Sequence, residues 1–370
     1  MGTRKVVFLR SKSHGGVEPR IDKEARALSE AGYEVHVLLW DRELAHPPEE
    51  TRSGYAIHRF RSRAPEGRAG LVVRMPRWWR FVRRRLFELR PDVIHAIDLD
   101  TLWPALRANR TIGAKLVYDI FDFYAPMIAR RIPGWVRAYL SDQERRAALR
   151  ADLVILPDLA RLEFFGEHRP RRVVEIMNVP EDRPVPRGPS DRFTLFYAGQ
   201  IARDRGIPEL VRACEQTGAR FLVAGHGPDE ATLVPLVESS PVAQFLGNLP
   251  YEDVIRSTAA SDVVAALYDP ALPNNRRASP NKLFEAMMLA KPILTNAGTT
   301  LGEFVARERI GVVARYGDLE SIRTELERLM LAPEECERMG ARGRRLYEAG
   351  FRWDVMRDRL VAAYRLLERG

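Results

Sequence analysis

Short apolar runs alternate with longer amphipathic stretches along nearly the whole chain. Val6–Leu9, Val35–Trp40, Ile57–Phe60, Val93–His95, Leu116–Tyr118 and Leu153–Leu156 predict strands, being compact runs of β-forming residues. Helical spacing of apolar positions predicts helices over Ile21–Ala31, Pro76–Leu89 and Leu140–Arg150. The pattern breaks between Pro180 and Arg192, where four prolines and a glycine cannot continue either element. It then restarts. Phe193–Tyr197, Phe221–Ala224, Gln244–Leu246, Val263–Leu267, Ile293–Thr295 and Val312–Ala314 predict strands, and Ile207–Thr217, Glu230–Glu238, Tyr251–Ala260, Lys282–Leu289 and Leu319–Leu331 predict helices. Such alternation implies parallel sheets covered on both faces. The expected architecture is α/β: a doubly wound domain over 1–182, a linker at 183–192, a second doubly wound domain over 193–350 and a tail at 351–370. The ligand is expected in the cleft at the carboxyl ends of the strands.

A chain of 370 residues suits two such domains, and 45% apolar with 29% charged residues is the profile of a globular enzyme. Cys214 and Cys336 follow no metal or redox spacing, and no apolar run approaches the roughly 20 residues that span a bilayer. The expectation is a cytoplasmic protein, at most peripheral on the inner face of the cell membrane. The net charge of +9 is almost all arginine, since lysine occurs only six times. That field favours anionic partners such as nucleoside diphosphates or lipid phosphates.

Four glycine-bearing strand ends follow one another in the second half. In Tyr197-Ala-Gly-Gln-Ile-Ala-Arg-Asp-Arg-Gly206, Gly199 would let a phosphate approach the backbone and Arg205 could neutralise it. In Ala224-Gly-His-Gly-Pro-Asp229, Gly225 and Gly227 would free amides and leave space for a base or ribose. At Phe245-Leu246-Gly247-Asn248-Leu249-Pro250, main-chain groups could read a nucleobase edge. The fourth, Ser279-Pro-Asn281-Lys282-Leu-Phe-Glu285, places Lys282 and Glu285 three apart on one face of an otherwise apolar helix start. A carboxylate there can accept hydrogen bonds from vicinal ribose hydroxyls, and an ammonium can meet a phosphate. A surface ion pair is the plain alternative. Downstream, Gly298, Thr299 and Thr300 end a strand and open a helix, offering amides to a diphosphate.

In order and spacing these motifs resemble the family 4 glycosyltransferases over nearly the whole chain. Gly199-Gln-Ile-Ala-Arg-Asp-Arg-Gly206 resembles the family's G-R-L-x-x-x-K-G, Gly225-His-Gly-Pro228 its G-x-G-P, Phe245-Leu-Gly247 its F-x-G, and Glu285-Ala-Met-Met-Leu-Ala-Lys-Pro-Ile293 its E-A-M-A-x-G-K-P-V. The resemblance implies a GT-B fold of two Rossmann-like domains facing a cleft. It also implies a retaining transfer from a UDP- or GDP-sugar to a glycan, lipid-linked or other acceptor, with no metal or other cofactor. By position, Glu285 would bind the donor ribose, Arg205 and Lys282 the diphosphate, and Gly298 to Thr300 would lie near the phosphates or sugar, with Glu303 beyond. The segment from Phe351 would cross back to the first domain. Three positions depart from the family pattern: Arg277 stands where a second glutamate is common, Gln200 where an arginine is usual, and Phe121 where a histidine is frequent. They fit a divergent subgroup or an enzyme that has lost activity.

In the first half, the loop holding His14, Gly15 and Gly16 would face donor phosphates and acceptor in such a family, or be a simple loop. His95, Asp98 and Asp122 could orient an acceptor hydroxyl, while His95 could equally be a core histidine. Between Arg68 and Arg90, eight arginines face one glutamate among Trp78, Trp79, Phe81 and Phe87. That suits an anionic membrane surface over 68–90, or a solvated helix face above a buried aromatic stripe. No nucleic-acid motif accompanies it. A nucleotide-sugar epimerase of the same fold and a non-catalytic nucleotide-sugar-binding partner subunit are the rival functions.

Overall fold

The computed structural model describes residues 3–11, 16–63, 68–123, 133–183, 185–186 and 192–369, with the backbone alone for 68–72. The chain divides into two compact units, Met1–Asn178 with Met356–Gly370, and Val179–Val355.

Unit 1 runs β1 (Lys5–Arg10), α1 (Pro19–Glu30), β2 (Glu34–Asp41), β3 (Glu49–Arg52), β4 (Tyr55–Arg61), α2 (Arg68–Leu89), β5 (Val93–Ile97), α3 (Leu99–Ile112), β6 (Lys115–Asp119), α4 (Gly134–Ala148), β7 (Leu153–Leu156) and β8 (Val173–Glu175). The sheet order is β3-β4-β2-β1-β5-β6-β7-β8. All its neighbours pair in parallel except β3 with β4. Val6 to Leu9 are fully buried, which is why β1 reads as an unbroken apolar run. Helix α2 starts well before the expected Pro76 and carries that proline inside. Trp78, Val82 and Leu86, four apart, bury one stripe on the sheet and hold the helix in place past it.

Unit 2 runs β9 (Thr194–Ala198), α5 (Ile207–Thr217), β10 (Arg220–Ala224), α6 (Glu230–Glu238), β11 (Ala243–Phe245), α7 (Tyr251–Ala260), β12 (Val263–Ala266), α8 (Asn281–Met288), β13 (Ile293–Asn296), α9 (Thr300–Glu308), β14 (Gly311–Ala314), α10 (Leu319–Leu331) and α11 (Pro333–Gly350). A single helical turn, Pro273–Arg276, precedes α8. The six strands are all parallel in the order β11-β10-β9-β12-β13-β14. Strand order reverses between β9 and β12, the place where doubly wound sheets open a crevice at their carboxyl ends.

Unit 2 begins at Val179, earlier than the sequence pattern suggests. Tyr347 donates to the Pro180 carbonyl (2.9 Å), and Arg344 donates through both terminal nitrogens to Asp182 (2.7 and 2.8 Å). These bonds fasten 180–182 to α11. The last helix, α12 (Trp353–Glu368), belongs to unit 1 from Met356 onward. There Tyr364 is buried, and Tyr33 donates to Glu368 (2.7 Å). Among the described residues, no helix is long and apolar enough to cross a membrane.

Candidate functional site

A pocket of about 590 Å³ opens in unit 2 at the carboxyl ends of β9 to β12, beside the reversal of strand order. Gly199, Gln200 and Arg205 line it from the loop after β9, Gly225 from that after β10, Asn248 and Leu249 from that after β11, and Asn281, Lys282 and Glu285 from α8. Residues far apart in sequence therefore meet here because parallel strands deliver all their carboxyl ends to one edge.

Lys282 is 8% exposed, and its ammonium lies 3.9 Å from the centre of the Tyr197 ring and 5.7 Å from that of Tyr268. Among the described residues it makes no hydrogen bond or ion pair with a carboxylate. Burial, and then the Arg205 charge, push its pKa down from 10.5 to about 7, against the pull of Glu285. Gly199 makes room for it: a Cβ there would sit 3.1 Å from the Lys282 Nζ. Arg205 ends a short turn capped by Gly206 at φ 63. Its guanidinium lies over Tyr268 (4.8 Å) and donates to Asp204 (2.7 Å), Asn275 (3.2 Å) and the Gln200 side chain (3.2 Å). Gln200, the departure from the family's arginine, thus orients the remaining one. Glu285 is 8% exposed and accepts a hydrogen bond from the Tyr251 hydroxyl, whose pKa burial and this carboxylate both raise. The sequence reading missed Tyr197, Tyr251, Tyr268 and Asn275. The only local signal was a tyrosine directly at the end of β9 and another just past β12.

The expectation of free amides is corrected at the strand ends after β10 and β11. Gly225 and Gly227 do not free amides for a ligand. Gly225 N donates to the Gly247 carbonyl (2.9 Å) and Gly227 N to Glu230 (2.7 Å). A Cβ would strike the Gly199 carbonyl oxygen at 1.8 Å in the first case and that of Ile201 at 2.3 Å in the second. These glycines let the strand-end loops pack backbone to backbone. The Leu246 amide is likewise engaged, donating to Val223 (2.8 Å), and Gly247 adopts φ 75. Gly298, Thr299, Thr300 and Glu303 line a separate pocket of about 600 Å³ with Arg276 and Arg277. Thr299 caps α9 by accepting from Gly302 N (3.0 Å). Ser279 is partly buried and precedes the Pro280 cap of α8.

In unit 1, His14 and Gly15 lie outside the described residues, and Gly16 is partly buried with space around its Cα. His95 is fully buried: its Nδ1 lies 2.6 Å from the Tyr364 hydroxyl and its Nε2 3.4 Å from Asp119. Burial holds it neutral, with its pKa lowered to about 4. It is a core histidine, sealed from any acceptor. Asp98, 1% exposed, accepts from Arg10 (2.5 Å) and from the Phe121 amide (3.1 Å), so its carboxylate holds the sheet edge together. Asp122 is exposed and pairs with Arg161 (3.5 Å). The Phe121 ring lies under the guanidinium groups of Arg10 (4.7 Å) and Arg20 (4.3 Å). Among the described residues, Glu24, His95 and Asp119 are close enough to suggest a metal seat, but Arg20 already bridges Glu24 (2.9 Å) and Asp119 (2.8 Å). The cation of that cluster is a guanidinium.

Comparison with known proteins fits this division. The model of the "Glycosyl transferase 4-like domain" matches residues 15–180, and that of "Glycosyl transferases group 1" matches 178–346. The chain is 31% identical over 172 residues to a GDP-mannose-dependent monoacylated alpha-(1-6)-phosphatidylinositol monomannoside mannosyltransferase of Corynebacterium glutamicum, covering 44% of this chain and 42% of that one. The match therefore spans under half of that relative's length. Among solved structures, sucrose-phosphate synthase from Thermosynechococcus elongatus superposes with TM-score 0.82 at 17% identity over 99% of both chains. HepE of Anabaena, in complex with UDP and glucose, superposes with TM-score 0.73 at 16% identity, covering 98% of this chain and 99% of that one. Two consecutive domain matches on two Rossmann-like sheets leave one assignment: the chain belongs to the family 4 type of GT-B glycosyltransferases.

Proposed function

We propose that the chain transfers a sugar, with retention at the anomeric carbon, from a nucleoside diphosphate sugar to a hydroxyl of a glycan or lipid-linked acceptor. The observation that carries this is the Lys282 ammonium, buried with no carboxylate in hydrogen-bond reach among the described residues and facing the pocket beside Arg205. An unneutralised buried cation is costly unless a ligand supplies the anion. A diphosphate answers that need, and Glu285 offers a carboxylate to its ribose.

In the reaction the bond between the anomeric carbon and the diphosphate oxygen breaks as the acceptor oxygen bonds to that carbon. The acceptor proton passes to the departing phosphate. Lys282 and Arg205 stabilise the charge gathering on the leaving group, so two side-chain cations do the work and no metal ion or further cofactor is required. The GDP-mannose and phosphatidylinositol mannoside in the name of the Corynebacterium relative favour a GDP-sugar and a lipid-linked acceptor in cell-surface glycolipid synthesis. The UDP in the HepE structure keeps UDP-sugars in the trial.

The test is to incubate the purified chain with UDP- and GDP-sugars, with and without polyprenyl-phosphate-sugar and phosphoinositide acceptors, and to follow nucleotide release. Release that requires an acceptor is the expected result. Release with a rearranged free sugar and no acceptor would make the chain an epimerase, and neither release nor binding would make it a non-catalytic partner.

A further inference from the structure

A groove of about 870 Å³ lies in unit 1 among α2, α3 and α4. Among the described residues its lining holds arginines from all three helices and no acidic residue. Among the described residues, Arg80, Arg83, Arg107, Arg110 and Arg150 have no carboxylate partner, and all five are exposed. Arg323 on α10 shows the other arrangement, pairing with both Glu320 and Glu327.

The same helices carry four exposed aromatic residues. Trp79 is 39%, Trp103 42%, Trp135 76% and Tyr139 60% exposed, and Val73 on α2 is 75% exposed. Helical spacing puts them in register with the cations. On α4, Trp135, Tyr139, Gln143 and Arg146 recur every three or four positions along one stripe, and Arg150 follows in the turn just beyond the helix. On α2, Val73, Pro76, Arg80 and Arg83 do the same while Trp78, Val82 and Leu86 bury the opposite face. Trp79 is braced by donating its indole hydrogen to the Asp100 carbonyl of α3 (3.1 Å). A surface meant only for water does not leave three tryptophans bare beside unpaired arginines.

We infer that this three-helix face is a docking surface for an anionic lipid bilayer, with lipid phosphates entering the arginine groove and the indole and phenol rings seated at headgroup depth. Charge complementarity decides the occupant: the groove is strongly basic, with Arg146 paired to Asp142 (2.8 Å) and five further arginines lacking a carboxylate partner among the described residues, and tryptophan, tyrosine and arginine together are the composition that settles at a bilayer interface. A soluble polyanion would meet the arginines but would leave Val73 and Trp135 in water. The inference does not depend on the sugar-transfer reading, because the face is built wholly from unit 1 helices outside the nucleotide pocket. It replaces the expectation of contact along 68–90 alone with a surface shared by three helices.

The experiment is co-sedimentation of the full chain with vesicles of phosphatidylcholine alone and with about one-third phosphatidylglycerol. The chain should bind the anionic vesicles, be released by high salt, and scarcely bind the neutral ones. Arg80→Gln and Arg107→Gln should each weaken binding about fivefold and together about 25-fold. Both positions are exposed, so the melting temperature and nucleotide binding should stay as in the parent chain. Brominated lipid should quench tryptophan fluorescence in the parent chain and much less in Trp79→Phe/Trp135→Phe. Equal binding to both vesicle types, undiminished binding by the double arginine variant, or tighter binding to oligouridylate than to anionic vesicles would each overturn the inference.

Discussion

Replacing Lys282 by methionine keeps the length of the side chain and removes its charge, and the structure gives this change opposite effects on stability and on binding. The ammonium titrates near 7 in the folded chain against 10.5 when free. The unfolded chain therefore holds the proton more tightly between those values, and stability rises with pH across that window. The shift corresponds to roughly 5 kcal/mol of folding free energy at neutral pH. That cost is net of the attraction of the Tyr197 ring at 3.9 Å. Lys282→Met should relieve it and raise the melting temperature of unit 2 by about 10–20 °C at pH 7. The gain should shrink by roughly 1.4 kcal/mol per pH unit above 7. Donor affinity should move the other way, with a loss of about 2–3 kcal/mol, or roughly 30- to 150-fold. A bound diphosphate raises the lysine pKa, so donor affinity in the parent chain should be flat below about pH 7 and fall as the pH rises past it. That slope should vanish in the variant. Differential scanning fluorimetry and calorimetric titration of UDP and GDP across pH 6–9 measure both effects. A lower melting temperature with unchanged affinity would refute the reasoning.

Glu285→Ala should abolish donor binding measurable by titration while leaving the far-ultraviolet spectrum unchanged, whereas Glu285→Gln should retain part of it through its carbonyl oxygen. Gly225→Ala should destabilise unit 2 by about 3 kcal/mol or more, seen as a lowered urea midpoint, because its Cβ would meet the Gly199 carbonyl at 1.8 Å. His95→Gln should cost about 1–3 kcal/mol of stability through its lost Tyr364 contact, yet leave KM for donor and acceptor within about twofold. A large rise in acceptor KM would show that His95 reaches the substrate after all.

The repeating α/β plan was legible because its helices carry clear stripes and its inner strands are solidly apolar. Ile207–Thr217, Glu230–Glu238, Tyr251–Ala260 and Leu319–Leu331 have in the structure the limits their spacing predicts. What stayed hidden has physical reasons. Strand β3 is Glu-Glu-Thr-Arg, a polar edge that pairs antiparallel with β4 and buries almost nothing. Helix α11 reads as charged and glycine-broken, yet Gly340 is the contact point where it meets the Ala290 carbonyl, 1.9 Å from a would-be Cβ. Spacing put Lys282 and Glu285 on one helix face, and both do line one pocket. Spacing could not show that Tyr197 of β9 and Tyr268 just past β12, separated by three helices in sequence, would cradle that lysine. Nor could it separate the glycines at 225 and 227, which serve backbone packing, from Gly199, which serves the lysine.

The most direct test of the central claim is a crystal structure of the chain with UDP or GDP bound, whichever titrates more tightly. The diphosphate should lie against Lys282 and Arg205 with both ribose hydroxyls on Glu285. Nucleotide density elsewhere, with Lys282 still stacked on Tyr197 and lacking an anion, would contradict the account.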